Sequence, residues 1–418
     1  EKSTRKLMRA FYLLALLIVL CWASLRGQTS GGSPYSAFGV GNLRSVKWGQ
    51  HAGLAGLGTA WYSDAFYNYR NPAANAFIRR PYNLLFEVGM DVSMLEVADS
   101  ETASWQRDGG LTHFQLWLRP HTKWTTSLGL VPYSTMRYSI FSERVLPDIG
   151  TPYSFITTGE GGLNRLFWSH SYELTPRLAL GFTSSLVFGS LLQSEQVLPS
   201  ADLTPFEVEV ETAIRGAQFQ GGLQYRLPVG DYEMLFGMTI QTGTDLLSRQ
   251  TTTLFSGPES LEEIADRQQG AYHLPFSWDA GIGLANGQWQ WNAEIAYQQT
   301  STIPGDEQVD FIDTWRAGFG AEWHPRADER RDAWQGIRLR GGFSYGNSYL
   351  DIDGQQWASW EATLGMLIPV GPNRNHLSLS YAYGQNGIES AGLLHEQQHQ
   401  LALSFTLRDI WFLKRKFD

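Results

Sequence analysis

Gln400-Leu401-Ala402-Leu403-Ser404-Phe405-Thr406-Leu407 alternates without a break. Leu401, Leu403, Phe405 and Leu407 fall on one face, and Ala402, Ser404 and Thr406 on the other. A period of two at this strength is a strand between two unlike environments. The pattern recurs. Phe86, Val88, Met90, Val92 and Met94 alternate with Glu87, Gly89, Asp91 and Ser93. Phe114, Leu116 and Leu118 alternate with His113, Gln115, Trp117 and Arg119. Leu178, Leu180 and Phe182 open a third case, and Trp291, Ala293, Ile295 and Tyr297 sit opposite Asn292, Glu294 and Ala296. A helical membrane protein would need several apolar runs of roughly 20 residues. Here only Ala10–Ala23 comes close. A sheet that meets lipid must close, because lipid offers no partner to a free strand edge. The pattern therefore predicts an all-β fold: a transmembrane antiparallel β-barrel of the bacterial outer-membrane kind.

Composition agrees. Charged residues make only 17% of the 418, yet mean hydropathy is −0.25, as expected when lipid-facing residues are hidden by alternation. The 16 Trp and 18 Tyr suit interfacial girdles, where a ring is half apolar and half wet. Lys2, Arg5, Lys6 and Arg9, followed by the apolar run to Ala23 and by Leu25-Arg26-Gly27, read as a signal peptide over residues 1–27. The competing reading is an uncleaved anchor, for which the run is short. Lipidation of Cys21 would want a small residue before it, and Leu20 stands there. Without residues 1–27 the chain carries 27 Lys and Arg against 40 Asp and Glu and no cysteine. That excludes disulfides and disfavours nucleic-acid binding.

Residues 28–80 differ from the rest. They are rich in Gly, Ser, Asn, Ala and Tyr, show no clear period, and are too few to hold a stable core alone. They are expected to plug the barrel formed by residues 81–418, which ends in a short basic periplasmic tail. About 14 strands are expected from Tyr82 onward: those above, with others near 124–141, 155–174, 206–227, 232–254, 274–285, 311–324, 336–348, 355–369 and 376–386. Tight turns such as Thr175-Pro176 and Asn286-Gly287 alternate with longer gaps near 98–110, 142–154, 193–205, 255–272, 302–310, 349–354 and 387–395. Asn286-Gly287 predicts a two-residue hairpin turn with positive φ at both positions. The short turns and both chain ends are expected on the periplasmic side.

Gly53-Leu54-Ala55-Gly56-Leu57-Gly58, then Asn71-Pro72-Ala73 and Phe77, resembles the N-terminal hatch of FadL-type transporters of hydrophobic compounds. Ser33-Pro34-Tyr35-Ser36-Ala37-Phe38-Gly39-Val40-Gly41, Gly129–Ser134, Gly159–Asn164 and Trp411–Asp418 resemble a Bacteroidota branch of FadL-like outer-membrane proteins, with blocks spanning nearly the whole mature chain. The resemblance implies a 14-stranded barrel with its N-terminal segment in the lumen. It implies passive uptake of a hydrophobic small molecule, with Gly53, Gly56, Gly58, Asn71, Pro72, Ala73 and Phe77 as hatch and gate. Some members of this broad class look like accessory subunits of assembly or secretion machines. A non-transporting barrel subunit with protein partners is thus the alternative, and outer-membrane lipid is a partner in either case.

Little else carries chemistry. His395-Glu396-Gln397-Gln398-His399 spells a zinc-protease pattern, which needs a helix to bring both imidazoles to one metal. It runs straight into the last strand, where four residues span roughly 13 Å, so it is read as a polar rim. No Gly-x-Ser-x-Gly elbow occurs. No βαβ unit surrounds Gly53–Gly58, which rules out a nucleotide loop. The chain is not expected to be an enzyme or to hold a metal or cofactor. Glu87, Asp91, Arg119, Arg137, Arg165 and Glu294 fall on positions assigned to the lumen, where they pair with the plug or guide a ligand. Asn71-Pro72-Ala73 is expected to form a rigid bend seating the plug against lumen groups such as Glu87 or Arg119. Arg326–Asp332 and Lys414-Arg415-Lys416 are read as solvated periplasmic segments.

Overall fold

The computed structural model describes residues 32–43, 49–78, 80–99, 101–145, 152–198, 205–256, 259–266, 269–305, 309–325, 336–370, 375–388 and 393–410. The signal-peptide reading, the charged run 326–332 and the basic tail lie outside them. Fourteen antiparallel strands form a closed barrel. They are β1 (Leu84–Ala98), β2 (Ala103–His121), β3 (Trp124–Pro132, resumed at Tyr138–Val145), β4 (Pro152–Thr175) and β5 (Leu178–Val197). Next come β6 (Phe206–Val229), β7 (Tyr232–Gln241 with Thr244–Ser256) and β8 (Glu259–Asp266, Gln269–Leu274 and Ser277–Ala285). The ring continues with β9 (Trp289–Gln298), β10 (Thr314–Trp323), β11 (Arg338–Asn347), β12 (Ala358–Val370), β13 (Asn375–Asn386) and β14 (His395–Asp409). β1 closes on β14 in unbroken register, from Leu84 opposite Asp409 to Ala98 opposite His395. Closure satisfies the wall's backbone groups in a medium that cannot. Among the described residues no helix is long and apolar enough to cross a membrane.

The two faces invert the usual order of a soluble sheet. On β14, Ala402, Ser404 and Thr406 are buried, whereas Leu401 is 51% exposed. On β1, Glu87 and Asp91 are buried and Val92 is 48% exposed. Exposed apolar side chains recur on the outer face, and the buried inner positions carry polar groups together with apolar ones such as Trp117, Phe167 and Leu235.

Three expectations are corrected in detail. Several of the long gaps are strand. β1 and β2 are joined by residues 99–102 alone, and β4 and β6 are each 24 residues long. In the upper part of β6, Glu207-Val208-Glu209-Val210 are half-buried at every position, so the outward apolar signature is lacking. Second, neither Asn286 nor Gly287 has positive φ. The turn closes through Asn286 instead, whose side-chain oxygen accepts from the Gln288 and Trp289 amides at 2.9 and 2.7 Å, an Asx turn. Third, the strand expected over 124–141 is interrupted. After Pro132, Ser134–Thr135 leaves the wall and pairs with Asn42–Leu43. The opposing strand yields at Gly161 (φ 108°) and Gly162 (φ 148°), a backbone that an L side chain rarely adopts. A methyl group at Gly162 would also overlap the Ser134 carbonyl.

This interruption splits the wall. β2 pairs with β3 only from Phe114 downward, and Tyr138–Val145 pairs only with β4. Among the described residues no ladder joins Ala103–His113 to Tyr138–Val145.

Candidate functional site

Residues 49–78 make contacts with inward-facing groups of strands around the ring. Their course is set by two bends. At the first, Ala55 (φ 52°) and Gly56 (φ 73°) both adopt the left-handed region. Thr363 Oγ1 accepts from the Ala55 amide at 2.8 Å, and Arg316 Nη1 donates to the Ala55 carbonyl at 2.9 Å. Gly53 lies with its Cα against Gly365. A side chain at Gly58 would strike the His51 ring, and the Gly58 amide donates to Glu294 Oε2 at 2.7 Å. The Thr59 amide donates to the same carboxylate.

The second bend is Asn71-Pro72-Ala73. Asn71 caps a short 3₁₀ turn, Pro72–Phe77, with its side-chain oxygen accepting from the Ala73 amide at 3.0 Å. Its amide nitrogen donates to Thr59 O (2.7 Å), Leu223 O (2.9 Å) and Gln224 Oε1 (3.1 Å). Ser171 Oγ donates to the Pro72 carbonyl at 2.6 Å. The bend rests on β4, β5 and β6, and the turn it opens is held by Arg119 at the Ala76 carbonyl, whereas Glu87 stands beside Gly49. Phe77 packs edge-on to Tyr62, and both rings lie under the Arg226 guanidinium. Two further asparagines complete the knot. Asn68 Nδ2 donates to the carbonyls of Gly58 and Trp61, and Asn75 Nδ2 donates to the Asn68 carbonyl. Sequence reading missed Asn68 and Asn75, although the recurrence of Asn at 68, 71 and 75 was a signal.

The remaining lumen residues fall in different places. Arg119 Nη2 donates to the carbonyls of Ala76 (3.1 Å) and Ile78 (2.5 Å). Arg165 reaches Tyr69 Oη and Gln218 Oε1 and lies over Tyr133. Glu87 meets His113 Nε2 at 3.2 Å and Gln115 Nε2 at 3.1 Å, beside Gly49. Asp91 accepts from Gln400 higher up. Arg137 lies in the interrupted stretch and pairs across the split with Asp108 at 2.5 Å. Unanticipated partners include Arg340, which bridges Glu322 and the Gln50 carbonyl beneath Trp61 and Phe66. His395 and His399 lie on β14, with His399 bonded to Tyr381 Oη.

The wall is shaped for the inner backbone. Gly365, Gly342, Gly281, Gly237, Gly222 and Gly181 stand on β12, β11, β8, β7, β6 and β5. Their missing side chains are replaced in turn by Gly53, Leu54-Ala55, Ala60, Thr59, Asn71-Pro72 and Pro72-Ala73. Glycine permits this approach of backbone to backbone. Above this level lies a cavity of about 380 Å³, lined by Asp91, Gln106, Asp108, Arg137, Glu361 and Gln398, among others. A second, of about 250 Å³, is lined by Phe38, Val40, Leu43, Tyr133, Tyr272 and Phe311 with more polar neighbours.

Comparison with known proteins places this arrangement. A family model described as BamG matches residues 8–418. No curated protein matches the sequence. Among solved structures, the Ralstonia pickettii toluene transporter TbuX aligns with a TM-score of 0.61 at 15% identity, over 86% of this chain and 97% of that one. The P. putida toluene transporter TodX aligns at 0.58 and 17%, over 87% and 98%. A Pseudomonas aeruginosa FadL homologue aligns at 0.56 and 12%, over 88% and 99%. These likenesses establish a FadL-like outer-membrane barrel fold.

Proposed function

The chain belongs to the BamG family, and we propose that it is a non-transporting barrel subunit of an outer-membrane protein-assembly complex. The observation that carries this reading is the seat of residues 53–73. A gate must leave its position at modest cost. This segment is laid against glycines of six wall strands, and its polar groups are held by Glu294, Arg316 and Gln224. Releasing it would break those hydrogen bonds together, at about 0.5–1.5 kcal/mol for each neutral one and about 1.5–3 kcal/mol for each one to a charged group. On this reading residues 28–80 are a fixed plug, lipid-facing strands anchor the subunit, and no enzymatic step is involved. The short-turn end, where β1 begins and β14 finishes, lies toward the periplasm.

The second reading is passive transport of a hydrophobic small molecule. It is favoured by the toluene transporters among the structural neighbours and by the cavity at Phe38, Tyr133 and Phe311. Purification from native membranes in mild detergent separates the two. The subunit reading expects stable co-purifying proteins in fixed ratio. A solitary barrel whose liposomes admit toluene faster than protein-free ones would replace it with the transport reading.

A further inference from the structure

We propose that the outward face of β3, β4 and β5 around His170 is a docking surface, inside the membrane, for a second and different β-barrel of the assembly complex. The inference rests on the assembly reading above. Three polar side chains stand on this face. Alternation turns Thr126, His170 and Ser184 outward, because Thr125, Ser127, Ser169, Ser171, Thr183 and Ser185 are buried on the lumen side. Register makes them neighbours. Thr126 pairs with His170, and Ser184 pairs with Trp168, the next outward residue of β4. Elsewhere round the ring the outward positions of the belt carry apolar or aromatic residues or glycine, such as Val88, Met90 and Val92 on β1 or Ala362, Leu364 and Met366 on β12. His170 lies within this belt. Leu166 and Leu174 are exposed on the same face, four residues to either side, about 13 Å of strand each way.

The chemistry of this face calls for protein, not lipid. The His170 ring lies between Trp124, stacked at 5.9 Å, and Trp168, edge-on at 4.6 Å. Its Nδ1 is covered by the protein and has no hydrogen-bond partner, and neither Nε2 nor Ser184 Oγ bonds to any described residue. A neutral imidazole carries one proton. On Nδ1 that proton would be buried without an acceptor, so it sits on Nε2 and points outward. Lipid tails accept no hydrogen bond, and polar groups at this depth belong against protein. By contrast His399, outward on β14, is bonded to Tyr381 Oη. The face also stands proud. Trp168 is 56% exposed, with Trp124, Tyr172 and Phe182 exposed around it, and its Nε1 is fixed by Thr126 Oγ1 at 3.0 Å. A second copy of this chain would set rings against rings. A different wall with small residues receives them, since small residues let membrane segments approach closely. A protein that spans the outer membrane there is a closed barrel. The occupant is thus another barrel, with small residues opposite the two tryptophans and a hydrogen-bond acceptor opposite His170.

The test uses the full chain purified from native membranes in mild detergent. A photo-reactive p-benzoylphenylalanine in place of Trp168 should cross-link to the barrel that co-purifies in fixed ratio, identified by mass spectrometry. In place of Leu364, on β12, it should not. His170→Leu should lower recovery of that barrel at least fivefold. The unheated gel form of this variant should persist to the same or a higher temperature, because leucine suits lipid better than an unpaired imidazole. Ser184→Leu, on the neighbouring strand, should lower recovery in the same way, and unheated gel mobility identifies which variants are folded. Undiminished recovery with the folded variants would overturn the proposal while the assembly reading stands. Cross-links from position 168 only to lipid, or to a second copy of this chain, would do the same. A wild-type chain that comes out alone would overturn both.

Discussion

Asn71 joins three parts of the molecule with one side chain: its own turn through the Ala73 amide, the preceding bend through Thr59, and the wall through Leu223 and Gln224. Asn71→Ala strands the acceptors of a fully buried side chain. The inner segment should lose about 1–3 kcal/mol of docking stability for each group left unsatisfied. Hydrogen exchange should speed up over residues 58–78 while the wall strands stay protected; uniform protection throughout would mean that Asn71 is dispensable. His51 gives a second handle. Burial pushes its imidazole from 6.5 down to about 3, despite the Leu57 carbonyl 2.8 Å from Nδ1. The docked segment therefore holds His51 neutral, whereas the undocked segment takes up a proton below about 6.5. Docking stability should be constant above that pH and fall steadily toward pH 3. Exchange rates of residues 49–58 measured against pH report it, and His51→Asn should flatten the dependence.

At the scale of the element, the wall strands carry two codes. Alternation assigns each residue to lipid or lumen, and glycine marks where the inner backbone presses on the sheet. Gly237→Val tests the second code, since its side chain would run into the Thr59 carbonyl and Ala60. Overpacking of this kind costs about 1–3 kcal/mol. It should lower the temperature at which the unheated gel form converts to the unfolded one. Gly287→Ala, with nothing within 4 Å of the added carbon, should leave that temperature unchanged; equal shifts in both would refute a specific seat. Legibility differs along a single strand for the same reason. The strand nature of β14 can be read from its residues, because each step changes between two solvents. The upper part of β6 cannot, because Glu207–Val210 are half-buried on both faces.

Among the described residues, the barrel encloses residues 49–78, whose own secondary structure is two short 3₁₀ turns. Closure gives the wall its stability from backbone pairing and lipid contact, so the wall should outlast loss of the segment. Deleting residues 49–78 should leave a detergent-soluble β-rich barrel by circular dichroism, with single-channel conductance well above that of the intact chain. Equal conductance of the two would mean that something other than this segment closes the lumen. Failure of the deletion to yield folded barrel would mean that the inner segment is part of the folding unit.

What the sequence by itself determined is the wall. Lipid outside and water or protein inside impose a period of two on Phe86–Met94 and Leu401–Leu407 that local inspection detects, and bilayer physics then demands closure. The turn at Asn71-Pro72-Ala73 was visible as a bend, because Pro and Asn act on their own backbone. Its partners were not visible. Gln224 is 153 positions away from Asn71, and Glu294 is 236 away from Gly58. Such pairs exist only once the ring has closed and set which strand stands beside which turn. The split between β2 and β3 is of the same kind. Pro132 and Gly159–Gly162 each permit a departure from regular strand, but only the pairing of Ser134–Thr135 with Asn42–Leu43 decides that the departure occurs and which way it points.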